Sequence, residues 1–159
     1  MDAMIKRVIQ SAWWIVFKKD SKGNPQYLLI KRYALSKKIE WVCPKGKLEK
    51  GEWPKEAAVR EVGEETWLDT KKLRVYHKIW VTKLRNDNNV RGMMNKDTTY
   101  YLMEYVWDVW DVDVENGGWF IGIYKWASFE EVSSLIYYQD IRELIRVAHI
   151  DIINKKYQS

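Results

Sequence analysis

The stretch from Pro44 to Asp69, "PKGKLEKGEWPKEAAVREVGEETWLD", constrains this chain more than any other part of it. A loop bearing Lys45 and Gly46 runs into a segment of helix-forming residues. Pro54 suits a first helical turn, and Glu52, Lys55 and Glu56 surround it. The reading is a helix over residues 53–66. At about 100° per residue, with Ala57 as zero, Glu64 falls near about −20°, Glu61 near about +40° and Glu65 near about +80°. Three carboxylates therefore share one arc, while Val59 and Val62 turn toward a core. Like charges three and four residues apart repel by a few tenths of a kcal/mol per pair. Such a helix presents either a solvated acidic face or a set of oxygen ligands for a hard divalent cation.

The flanking segments read mainly as strands. "RVIQSAWWIVFKK" and "QYLLIKRY" are separated by the turn "KDSKGNP" and predict a hairpin. Trp41 to Cys43 is a short strand stopped by Pro44. "KLRVYHKIWVTKLR" and "DTTYYLMEYVWDVWDV" are β-type, rich in Val, Tyr, Trp and Thr. The polar loop between them carries Arg91 and Lys96. "WFIGIYKW" is a further strand. Ser128 and Glu131 form a capping-box pattern at a helix start. A last amphipathic helix places Ile141, Leu144, Ile145, Ala148 and Ile152 on one side. This order predicts an α/β fold, a mixed β-sheet with helices on both faces.

Composition narrows the class. The chain has 159 residues, which suits one domain over 1–159, and 47% of them are hydrophobic. It contains one cysteine, Cys43, so a disulfide framework and a cysteine-rich metal site are excluded. There is no apolar run of membrane-spanning length and no signal-type h-region at the N-terminus, so a cytoplasmic location is expected. The formal net charge of +5 suits an anionic partner, but the basic residues are dispersed and outline no nucleic-acid footprint.

Spacing adds a resemblance. Gly46 is followed after five residues by Glu52, and after seven more by Arg60-Glu61-Val62-Gly63-Glu64-Glu65-Thr66-Trp67-Leu68. This resembles the Nudix box: Gly, five residues, Glu, seven residues, Arg-Glu, an aliphatic, any residue, Glu-Glu, any residue, Gly, an aliphatic. Only the second glycine departs, being Trp67. The resemblance implies a Nudix-type α/β/α sandwich and hydrolysis of a nucleoside diphosphate linked to another group, with Mg2+ or Mn2+ as cofactor. It implies Glu61, Glu64, Glu65 and the Gly46 carbonyl as metal ligands. Arg60 would orient the glutamates, Glu52 would brace the loop–helix junction or the outer metal shell, and Lys45 would lie near phosphate.

"TTYYLMEYV" is similar to a strand of the asymmetrical diadenosine tetraphosphate hydrolases. That likeness implies Glu104 as a further catalytic carboxylate and Tyr100 as a substrate contact. Arg91 and Lys96 are then candidates for the distal phosphates. The implied partner is a small-molecule nucleotide, with no membrane and no nucleic acid other than RNA 5′ ends. A MutT-type triphosphate pyrophosphohydrolase, a diphosphoinositol phosphate hydrolase and a degenerate domain that only binds nucleotide are the alternatives. Tyr137 and Tyr138 are expected to pack on a helix, Cys43 to lie in the core, and His77 and His149 to take no metal role.

Ten tryptophans are many for this length. Trp67 replaces the box glycine, and Trp13 and Trp14 replace a Gly-Gly pair typical of the first Nudix strand. A gene in which UGA encodes glycine, translated with UGA as tryptophan, would give this pattern. Engineering or a natural aromatic surface is the competing account. On the first account, these side chains should be strained, exposed or crowding the site.

Overall fold

The computed structural model describes residues 8–154 apart from 35, 44, 85–94, 109, 111, 114, 115 and 119. The first two strands, β1 (Val8–Lys19) and β2 (Pro25–Tyr33), form the expected hairpin, with Phe17 opposite Tyr27. Two short strands follow, β3 (Ile39–Val42) and β4 (Lys45–Lys47), and then the box helix α1 (Pro54–Thr66). A 3₁₀ turn leads into β5 (Leu73–Leu84), which pairs with β6 (Asn95–Tyr105). After β7 (Asn116–Gly117) and β8 (Phe120–Ala127) come α2 (Phe129–Leu135) and α3 (Gln139–Ile153).

The strands make one mixed sheet in the order β5-β6-β1-β2-β8-β7, with β3 beside β2 and β4 beside β1. β1 and β6 run parallel, and the other pairs are antiparallel. Alternation along β1 divides the core. Ala12, Trp14 and Val16 pack with Ala57, Ala58 and Val62 of α1. Ile15 and Phe17 pack with Ile141, Leu144, Ile145, Ala148 and Ile152 of α3. The periodicity read from the sequence for the last helix thus supplies the layer opposite the box helix.

Local chemistry explains the helix starts. Ser128 accepts from the Glu131 amide while the Glu131 carboxylate accepts from the Ser128 amide, a reciprocal cap. Pro54 opens α1, and the Trp53 amide donates to Glu56. Two readings of extent are corrected. β4 is a separate strand, too short to stand out by periodicity. β6 ends at Tyr105 rather than continuing through the Trp/Asp repeat to residue 112, because its partner β5 begins at Leu73 and the pairing runs out after the Val106 amide donates to the Lys72 carbonyl.

Candidate active site on the box helix

α1 lies against β1 and β4. β4 is antiparallel to β1, with Lys45, Gly46 and Lys47 opposite Trp13, Ala12 and Ser11. The strand carrying Gly46 and the helix carrying the glutamates are therefore in contact with each other and with β1. The Lys45 side chain lies outside the described residues.

Arg60 organises the acidic residues. Its Nε and Nη2 donate to the two carboxylate oxygens of Glu52, at 2.7 and 3.0 Å. This is a bidentate fork across the loop–helix junction. Nη1 donates to Glu61 and Glu64, both at 3.0 Å, and also lies 3.4 Å from Glu49. The bond to Arg60 holds the Glu52 carboxyl below its usual range, and the same bond raises the guanidinium. Burial pushes the Glu61 carboxyl up against the pull of Arg60, and the Glu64 charge adds to the rise. Glu65 is 4% exposed, on the core side of the helix.

Among the described residues, no three acidic, histidine or cysteine side chains gather as a preformed metal site. Arg60 draws Glu61 and Glu64 to itself, and Glu65 turns inward. The donor set nonetheless fits a hard divalent cation. It is made of carboxylate oxygens, one of them buried, on successive turns of one helix, and bringing them together in low dielectric is unfavourable without a compensating positive charge. Glu49 was not singled out from the sequence. Its place in the network depends on how the loop folds back, for which the box spacing gives no signal.

The structure separates the strand residues from this group. Glu104 pairs in register with Phe17 of β1, whereas Ala12, five residues earlier along β1, is the level of Gly46. That offset is roughly 16 Å along the strand. Glu104 accepts a 2.8 Å hydrogen bond from Tyr76, whose ring stacks on Phe17. Phe17 belongs to the α3 layer. Glu104 therefore lies on the face opposite α1, and the expectation that it shares the box-helix cleft is not met. Tyr100 and Leu102 share its face, as alternation predicted. Tyr100 is 5% exposed and packs in that layer with its ring 5.4 Å from Trp13, a core position rather than an open substrate contact. Lys96 sits in β6 opposite Ile9, its side chain outside the described residues, and Arg91 also lies outside them.

Tryptophan at the glycine positions has definite consequences. Trp67 caps α1 in the left-handed conformation, φ 54° and ψ 18°, with its amide donating to the Gly63 carbonyl and its side chain 74% exposed. Trp14 is fully buried against α1, and its indole nitrogen has no hydrogen-bond partner among the described residues. Trp13 packs on Tyr100 in the other layer. Tyr137, expected to pack, is 83% exposed, while Cys43 is buried as expected.

A family model described as NUDIX domain matches residues 9–147. A curated relative from Mycobacterium tuberculosis, carrying the name mutator protein MutT4, is 30% identical over 121 residues. The match takes in 76% of this chain but 45% of that protein, so the chain spans under half the length of the curated relative it matches. Among solved structures, the chain resembles a Caenorhabditis elegans Ap4A hydrolase binary complex at a TM-score of 0.72. That pair is 20% identical, with 92% of this chain and 98% of the other covered. It also resembles the NUDIX domain of Shewanella oneidensis NrtR complexed with ADP ribose, at a TM-score of 0.71 and 15% identity, covering 96% and 94%. The Escherichia coli dihydroneopterin triphosphate pyrophosphohydrolase gives a TM-score of 0.67 at 17% identity, covering 89% and 95%.

Proposed function

The chain belongs to the NUDIX domain family, and from that premise we propose that it hydrolyses a phosphoanhydride bond in compounds carrying a nucleoside diphosphate, with Mg2+ or Mn2+ as cofactor. The observation that carries the reading is the network on α1, in which one guanidinium holds Glu52, Glu61 and Glu64 beside a buried Glu65. Nudix hydrolases generally use divalent metal ions. When bound, such a cation neutralises polyphosphate charge and lowers the pKa of coordinated water. Glu61, Glu64 and Glu65 are the residues that would hold it, with the Gly46 backbone from β4.

Arg60 is a positioning residue in this account. Its fork onto Glu52 fixes the guanidinium, and Nη1 holds two repelling carboxylates on one side of the helix. Lys45, beside Gly46, is the proposed contact to the phosphates flanking the scissile bond. Arg91 and Lys96 are proposed for the distal ones.

Two substrate classes compete within this reading. The fold likeness to an Ap4A hydrolase extends over nearly the whole chain and speaks for dinucleoside polyphosphates. The position of Glu104, on the opposite face of the sheet, removes the residue-level support for that class, and the curated relative named as a mutator protein speaks for nucleoside triphosphates. We therefore put a MutT-type pyrophosphohydrolase first and the dinucleoside polyphosphate hydrolase second. Product identification separates them. A triphosphate pyrophosphohydrolase releases a nucleoside monophosphate and pyrophosphate, whereas diadenosine tetraphosphate cleaved asymmetrically gives ATP and AMP. Faster turnover of the second substrate with those products would reverse the order. Tight nucleotide binding without turnover of either would leave only a binding domain.

A further inference from the structure

His149 stands in the last turns of α3 and belongs to no metal or catalytic group. It is instead the meeting point of three elements. Its Nδ1 lies 2.7 Å from the hydroxyl of Tyr27 on β2, 122 residues away in sequence. Its ring stacks on Phe129, the first residue of α2, with centroids 4.2 Å apart and planes 8° from parallel. Tyr27 is 1% exposed, and burial raises its phenol far above the usual range, so the hydroxyl keeps its proton. Among the described residues His149 is the one side-chain hydrogen-bond partner of that hydroxyl, so the phenol donates its proton to Nδ1. Nδ1 must then be the acceptor, which fixes a neutral imidazole with its proton on Nε2.

Protonation would set two donors against each other. Nδ1–H could donate to the phenol oxygen only if the Tyr27 proton found another acceptor in a buried site. The geometry points to a pH-sensitive clasp: Tyr27, His149 and Phe129 fasten the two C-terminal helices to the sheet while His149 is neutral, and the fastening loosens when it is protonated.

The charged groups around the imidazole leave that direction intact. Burial holds the His149 pKa below its ordinary value, and Glu130 of α2 opposes the shift without cancelling it. On its own helix, Arg146 is bound by Glu143 one turn back. From β8, Lys125 is bound by Glu131. On β2, Lys31 lies over the Trp41 ring and Arg32 is paired with Glu40, and the strand meets the imidazole through the uncharged Tyr27. With the folded pKa depressed, the stabilisation is fully present above the unfolded value of about 6.5 and is lost as pH falls from there through the folded pKa.

The test is thermal unfolding from about pH 7.5 to about pH 5 of the wild-type chain, His149→Phe and Tyr27→Phe, with hydrogen exchange on α2 and α3. The wild type should lose about 2–4 °C more over that range than His149→Phe, which keeps the stack but cannot titrate. Tyr27→Phe should fall between them, and exchange at low pH should rise first in α2 and α3. Equal pH dependence in the wild type and His149→Phe would overturn the clasp. Should the variants not fold, an NMR titration of His149 in the wild type, assigned against His77→Gln, serves instead. A midpoint clearly below about 6.5 supports the clasp, and one at or above it overturns the clasp.

Discussion

Glu64→Gln and Glu65→Gln are each expected to lower kcat by at least about a hundredfold while the protein stays folded. A carboxamide keeps the shape of the side chain but presents a neutral oxygen, a far weaker ligand for a hard cation. The two variants reach this loss from different starting points. Glu64 is half exposed and bonded to Arg60. Its substitution removes one ion pair, so the fold should be little disturbed. Glu65 is nearly fully buried, and a neutral amide there is easier to bury than a carboxylate, so the melting temperature should hold or rise as activity falls. Steady-state kinetics at saturating Mg2+ with parallel thermal melts measures both quantities. Near-normal turnover in both variants would remove the box glutamates from the chemistry.

Trp67→Gly is expected to stabilise the protein. Thr66 is the last residue of α1, and the chain must then turn toward Leu68, which packs in the core. It does so through a residue at φ 54° whose amide closes the last turn on the Gly63 carbonyl. An L-residue in that conformation costs roughly 1–2 kcal/mol, and glycine adopts it freely. The compensation open to tryptophan is burial of its ring, which could contribute about 2 kcal/mol or more in a fitted pocket. At 74% exposure the ring has no such pocket. The gain should be roughly 1 kcal/mol, or about 2–4 °C in Tm. A lower Tm for the glycine variant would make Trp67 a packing residue. It would also remove the main structural argument that glycine belongs at this position.

The three glycine-position tryptophans do not behave alike, which bears on how they arose. Trp67 is strained and exposed, while Trp14 is buried with an indole nitrogen lacking a described partner, at a cost of about 1–3 kcal/mol. Both fit the recoding account. Trp13 is partly buried and forms an aromatic contact with Tyr100 against the α3 layer, as a native packing residue would. Codons at the three positions decide the matter: UGA supports glycine, and UGG makes tryptophan native.

What was legible in the sequence follows from what is local. The box helix, its proline start and the capping box of α2 depend on neighbours within a few residues, and all lie where composition and spacing placed them. The contacts of Arg60 to Glu52, Glu61 and Glu64 were implied by the box resemblance, whereas its approach to Glu49 was not. Glu104 shows where such reading stops. Alternation assigned it correctly to the face of Tyr100 and Leu102, but a strand does not announce which face meets which helix. That choice depends on the parallel β1–β6 pairing across more than eighty residues. The register shift in β5 between Val75 and His77 compounds this, because it falls at Tyr76, whose hydroxyl donates to Glu104. His149 is a second case, since its partner Tyr27 is distant in sequence and carries no motif.

The most direct test of the central claim is hydrolysis of a nucleoside triphosphate and of diadenosine tetraphosphate by the wild-type chain, with Mg2+ and with the metal chelated, each product identified. The account predicts cleavage of a phosphoanhydride bond in at least one of them. It predicts that the rate falls at least about a hundredfold on chelation and is restored by added Mg2+. Turnover unchanged by chelation, or no hydrolysis of either nucleotide with Mg2+ in excess, would contradict it.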